Sequence, residues 1–89
     1  MELITVQEVT NKHAILDVRS HEEYDESHIP GSQHIPLEYV ANRQQEIPHN
    51  PVIVCRTDNR SAQAREILGH GRVLQGGISA WKQAGKKTE

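Results

Sequence analysis

A single α/β domain with a central parallel sheet is predicted by this sequence, and three observations carry the prediction. Short apolar runs alternate along the chain with polar, helix-forming stretches, the rhythm of strands joined by helices. The runs are continuously apolar rather than alternating, which suits strands covered on both faces, as in a parallel sheet. With 89 residues and no internal repeat, linker or low-complexity segment, the chain has material for one hydrophobic core only.

Leu3-Ile4-Thr5-Val6 reads as the first strand, and Gln7 to Asn11 as a brief helical turn. Ala14-Ile15-Leu16-Asp17-Val18 is a second strand, too short for a helix. Ser20-His21-Glu22-Glu23 has the form of a capping box, in which a serine oxygen and a glutamate three residues on satisfy free amides at a helix start. A short helix from about His21 to Asp25 follows, broken at Ile29-Pro30-Gly31 because proline restricts the residue before it and glycine permits a turn. His34-Ile35 is a short strand, and Leu37 to Gln45 a helix with Leu37, Val40 and Ala41 on its apolar face. After the break from Pro48 to Pro51, Val52-Ile53-Val54 is the most strand-like run in the chain. It leads into Cys55 and then a helix to Leu68, with Ser61 as cap, Gly69 as stop and Ala64, Ile67 and Leu68 facing the core. Val73-Leu74 is the last strand, Gly76-Gly77 a turn, and Ile78 to Ala84 a final helix ended by Gly85. The domain thus occupies residues 1–85, and residues 86–89 form a short tail expected to fray.

Composition removes several classes of function. Ten Lys plus Arg against twelve Asp plus Glu give a net charge of -2, without the basic excess of a nucleic-acid binder. One cysteine excludes an internal disulfide and with it a small extracellular disulfide scaffold. No apolar run approaches the roughly 18–20 residues that cross a bilayer, and Met1-Glu2-Leu3-Ile4 does not open a signal peptide, so no membrane association and a cytoplasmic location are expected. His13, His21, His28, His34, His49 and His70 fall at none of the usual ligand spacings, so neither a metal nor a cofactor is expected. With no phenylalanine, the core must be built from Ile, Val, Leu and Ala, with Trp81 as a core anchor whose indole N–H needs a partner.

The informative feature is the position of the lone cysteine, at the carboxyl end of an apolar strand in a polar loop that runs into a helix. Open α/β sheets place their ligand sites there. The backbone amides of Arg56, Thr57, Asp58, Asn59, Arg60 and Ser61, with the free amides of the following helix, can form a concave anion-binding nest. Arg56 and Arg60 add positive charge and favour the nucleophilic thiolate. The simpler alternative, a small buried hydrophobe at a strand end, is how free cysteines commonly occur; two arginines and a helix start beside it weigh toward a reactive thiol.

Three segments then resemble the single-domain rhodaneses, a family of sulfurtransferases, over essentially the whole chain. Leu16-Asp17-Val18-Arg19 with Glu23-Tyr24 and His28-Ile29-Pro30-Gly31-Ser32 is similar to that family's amino-terminal signature. Val52 to Arg56 with Arg60-Ser61 is similar to its active-site strand and loop, and Val73-Leu74, Gly76-Gly77 and Trp81 to its carboxyl-terminal signature. The resemblance implies about five short parallel strands flanked by helices on both faces, and a sulfur-transfer cycle in which Cys55 takes the outer sulfur of an anionic donor such as thiosulfate. The persulfide so formed passes its sulfur to cyanide or a thiol, including a protein thiol. Arg56 and Arg60 are the donor-binding candidates, since planar guanidinium groups bind oxyanions through paired hydrogen bonds. A non-catalytic rhodanese-like binding module, or a sulfur carrier loaded by a partner, is the competing reading. A monomer with a shallow, open site is expected from a chain this small.

Only four residues separate Cys55 from Arg60, and the longer C-x5-R loop of rhodanese-like phosphatases would need arginine where Ser61 stands, which disfavours phosphate. Many active loops of the family have glycine where this chain has Asp58. Aspartate tolerates a positive φ better than most residues, but its carboxylate would repel an anionic donor unless turned outward or paired with Arg56 or Arg60. Replacing Asp58 by glycine is therefore expected to raise the rate with thiosulfate. Asp17 and Arg19, at the end of the second strand, are candidate supports for the active-site loop, with a structural ion pair or a strand-end cap favoured over direct chemistry. Ser27 replaces a common glycine before His28, where a slightly altered turn is expected, with His28 a structural turn residue.

Overall fold

The computed structural model describes residues 2–89. In chain order the elements are β1 (Leu3–Ile4), β2 (Ile15–Asp17), α1 (His21–Glu26), β3 (Gln33–His34), α2 (Leu37–Val40), a 3-10 segment (Ala41–Glu46), β4 (Val52–Val54), α3 (Asn59–Leu68), β5 (Arg72–Leu74) and α4 (Gly77–Gln83). The five strands form one sheet in the order β1-β5-β4-β2-β3, and every neighbouring pair is parallel. This is the expected class, and the helices supply the crossovers that parallel neighbours require.

The two-residue period of a strand divides the core between the faces of the sheet. Val52 and Val54 of β4 pack with Ile4, Leu74, Ile78 and Trp81. Ile53 and Cys55 point the other way, among Leu16, Val18, Val40 and Ala64. Every residue from Pro51 to Cys55 is buried, which is why this run is apolar without alternation. β4 lies between β2 and β5, so the chain leaves the middle of the sheet at Cys55.

Several boundaries move for identifiable reasons. Gln7 to Asn11 forms turns rather than helix, because side chains take the backbone groups: the Thr5 amide donates to Glu8 Oε1 at 2.9 Å and the Thr10 amide to His13 Nδ1 at 2.9 Å. The helix expected over 37–45 is α-helical only to Val40 and tightens into the 3-10 segment, where Arg43 (φ -122°, ψ 23°) leaves the helical region; Ala41 is turned to solvent. α3 starts two residues ahead of Ser61, with Asp58 as its N-cap, so Ser61 is a buried residue of the first turn and not the cap. Gly69 ends α3 in the left-handed conformation as expected, but Ile67 is 41% exposed and lies off the buried face.

The tail expected to fray is tied down. The amide of His28 donates to the Glu89 carbonyl at 3.0 Å and the amide of Glu89 to the His28 carbonyl at 2.8 Å. The Trp81 indole donates to the Lys87 carbonyl at 2.9 Å, and Lys86 Nζ bonds the Val6 carbonyl at 2.6 Å while lying over the Trp81 ring. Polar residues 86–89 hold because they satisfy main-chain and indole groups, a source of order that composition does not reveal.

Ser27 caps α1 in extended backbone (φ -169°), a conformation open to any residue, so glycine is not required there. Its hydroxyl oxygen is buried with no hydrogen-bond partner among the described residues, an arrangement that costs about 1–3 kcal/mol. Ser27→Ala is expected to raise the unfolding midpoint in urea, and a lower midpoint would show that the hydroxyl has a partner in solution.

Candidate active site

Cys55 follows the central strand and is 1% exposed. Its Sγ lies 3.3 Å from the hydroxyl of Ser61, which donates to the Asp58 carbonyl at 3.0 Å. A hydroxyl has one proton. With Cys55 as a thiol, S–H can donate to Ser61 while Ser61 donates to Asp58; with a thiolate, the Ser61 proton is available to turn to sulfur. Starting α3 at Asn59 is what brings Ser61 back over the thiol, one turn into the helix.

The loop rests on α4. The carbonyls of Cys55 and Arg56 accept from the amides of Ile78 at 2.9 Å and Ser79 at 3.3 Å, groups that a helix start leaves without partners. Gly77, at φ 59°, lies so close beneath the loop that a Cβ would collide with the carbonyl oxygens of Cys55 and Thr57. Asp58 Oδ1 accepts from the Gly76 amide at 2.9 Å. The Asp58 carboxylate is thus bonded to the Gly76-Gly77 turn and pairs with neither Arg56 nor Arg60. Asp58 itself has φ -133°, so the positive φ for which a glycine was expected is not used.

The cations divide into two kinds. Arg19, 3% exposed, grips the carboxylate of Asp17 through Nε (3.0 Å) and Nη2 (2.7 Å) and donates to the Ser27 carbonyl at 2.7 Å. The ion pair ties the end of β2 to the turn after α1, and among the described residues its side-chain hydrogen bonds do not reach the cysteine loop. Arg60 makes a two-point pair with Glu23 of α1, at 2.6 and 2.9 Å. The same Glu23 closes the capping box with Ser20. Arg56 is exposed and reaches a cavity of about 300 Å³ that it shares with Arg19, Glu23, Glu26, Ser79 and Lys82. Thr57 on the loop and Asn59 at the start of α3 are exposed. Cys55, Arg56 and Ser61 lie together beyond the carboxyl end of β4, whereas Arg60 is engaged by Glu23 and the Cys55 residue is buried rather than openly displayed. Among the described residues no three His, Cys, Asp or Glu side chains gather as a metal cluster; His28 and His34 instead stack on either face of Tyr24.

Sequence reading missed Glu23 as a site residue. Its capping-box role is legible from Ser20, but its bond to Arg60 spans 37 positions and needs α1 and α3 to be brought together. The Arg60 guanidinium, with smaller help from the Ser20 amide and hydroxyl, lowers the Glu23 carboxyl from the ordinary 4.5 to about 2; Glu23 in turn raises Arg60. A depressed carboxyl stabilises the fold above its ordinary value, and that stabilisation is lost as pH falls from about 4.5 toward 2. Glu23→Gln is expected to flatten this part of the acid limb in pH-dependent urea unfolding; an unchanged slope would mean that the pair is absent in solution.

These features define an α/β protein with a cysteine loop at the carboxyl edge of a parallel sheet. Residues 4–84 match the family described as the rhodanese-like domain, and the chain belongs to that family. A protein of Allochromatium vinosum named as a sulfurtransferase is 38% identical over 78 residues, covering 80% of this chain and 73% of its own. A Bacillus subtilis protein named as a candidate sulfur carrier, YrkF, is 48% identical over 56 residues, or 61% of this chain, which spans only 30% of that protein's length. A rhodanese-related crystal structure from Thermoplasma volcanium superposes with a TM-score of 0.92 over 100% of this chain and 98% of its own, at 23% identity, a likeness of fold.

Proposed function

We propose that this protein transfers sulfane sulfur through a persulfide on Cys55. The observation that carries the reading is the Cys55 thiol at the end of the central strand, with the Ser61 hydroxyl at 3.3 Å and its loop fixed to the start of α4. The sulfurtransferase and sulfur-carrier names of the relatives support it. In the first half-reaction the Cys55 thiolate attacks the outer sulfur of a donor such as thiosulfate. The new S–S bond forms as the donor's own S–S bond breaks, and sulfite leaves with the electron pair. In the second, a thiophilic acceptor, cyanide or a thiolate, attacks the outer sulfur of the persulfide and Cys55 leaves as thiolate. The Ser61 hydroxyl supplies a hydrogen bond to sulfur in its anionic forms, and exposed Arg56 attracts the donor's oxyanion.

A second reading, a carrier loaded by a partner protein, is favoured by the engagement of Arg60 with Glu23, which leaves less unpaired positive charge to hold a free anionic donor.

Intact mass of the reduced protein before and after thiosulfate tests the cycle. The expected result is a gain of one sulfur atom, absent in Cys55→Ser and removed by cyanide as thiocyanate. A folded protein that gains nothing from thiosulfate, yet gains one sulfur from a persulfidated protein donor, would establish the carrier reading instead.

Asp58→Asn keeps an acceptor for the Gly76 amide while removing the charge, so the KM for thiosulfate is expected to fall roughly threefold, a surface-charge effect. An unchanged KM would show that its bond to the turn already keeps the carboxylate away from the donor.

A further inference from the structure

The positive charge that the sequence puts beside Cys55 is not all available to a ligand. Of the cations about the loop, Arg19 is held by the Asp17 carboxylate through three side-chain hydrogen bonds and Arg60 by the Glu23 carboxylate through two. Arg56 and Lys82, which line the same cavity, make no ion pair among the described residues. Glu26 adds a second carboxylate to that cavity. Its wall is therefore mixed in sign, where the sequence alone suggests a basic one.

We infer that Glu23 is a specificity-determining residue of the sulfur-transfer site: by neutralising Arg60 it weakens the hold on free anionic donors and leaves Arg56, next to Cys55 in the chain, to meet them. The inference rests on the reading of Cys55 as the sulfur carrier. The geometry supports neutralisation rather than simple scaffolding, because both Glu23 oxygens face both terminal nitrogens of Arg60, leaving the guanidinium no free edge on that side for a donor sulfonate. The carboxylate stays ionised throughout the neutral range, so the screening is permanent there and is not a pH switch. Donors that arrive neutral, or as part of a protein surface with its own charges, are not penalised.

The field at the thiol can be read without sulfur transfer by alkylating Cys55 with iodoacetate and with iodoacetamide, which differ mainly in charge; their rate ratio cancels changes in thiol reactivity and access. Glu23→Gln is expected to raise the iodoacetate-to-iodoacetamide ratio roughly fivefold at low ionic strength, falling toward unity in about 1 M salt. The double variant Glu23→Gln with Arg60→Gln, which removes a neutral pair, is expected to stay within about twofold of the unsubstituted protein. An unchanged ratio in the single variant, or a double variant whose ratio drops as far as that of Arg56→Gln, would overturn the inference, the second by showing that Arg60 acts on anions despite Glu23. Thiosulfate loading of the unsubstituted protein, followed by mass, separately decides the sulfur-transfer reading, so the two fail independently.

Discussion

The contact on which the site depends is main chain to main chain: the carbonyls of Cys55 and Arg56 accepting from the first amides of α4. Neither side chain is involved, so the chemistry of the loop and its support are separable. The contact forces glycine at position 77, because only a residue without Cβ lets the two segments approach so closely. It also makes the site depend on long-range packing. β4, between β2 and β5, delivers Cys55, and the turn after β5 presents α4 to the loop. The site is a product of the completed sheet rather than of any local segment.

Around that contact the charges are arranged to hold elements together as much as to bind a ligand. Asp17 and Arg19 join β2 to the turn after α1, and Glu23 and Arg60 join α1 to α3. Both pairs are two-point and shielded from solvent to different degrees, and removal of one partner from the buried pair leaves a charge stranded in the interior. The same pairs that hold these elements together leave less unpaired positive charge around the loop than the sequence alone suggests.

Much of this was legible in the sequence because local signals agreed with the global fold. The uniform apolarity of Val52-Ile53-Val54 stated that both faces of β4 are covered, and Ser20 with Glu23 marked the start of α1. Cys55 was legible for the same reason: its place after the central strand needs no long-range information. What was not legible depended on distant partners. Ser61 looks like a helix cap until Asp58 takes that place, and Asp58 looks like a repelling charge until the Gly76 amide, 18 residues on, binds it. Arg60 looks like an unpaired cation until Glu23 arrives from another helix. The tail looked loose because its stabilising bonds go to His28, Trp81 and Val6.

The sheet's two outermost strands, β1 and β3, are only two residues long. An open parallel sheet always ends in unpaired amides and carbonyls that another chain can use as a template. Here those borders are cut so short that an incoming strand finds almost no ladder to extend, although Leu3 on β1 is half exposed. Brevity at the margins thus gives the molecule protection against stacking edge to edge with its own copies, and it does so with no dedicated charged or proline gatekeeper within either strand.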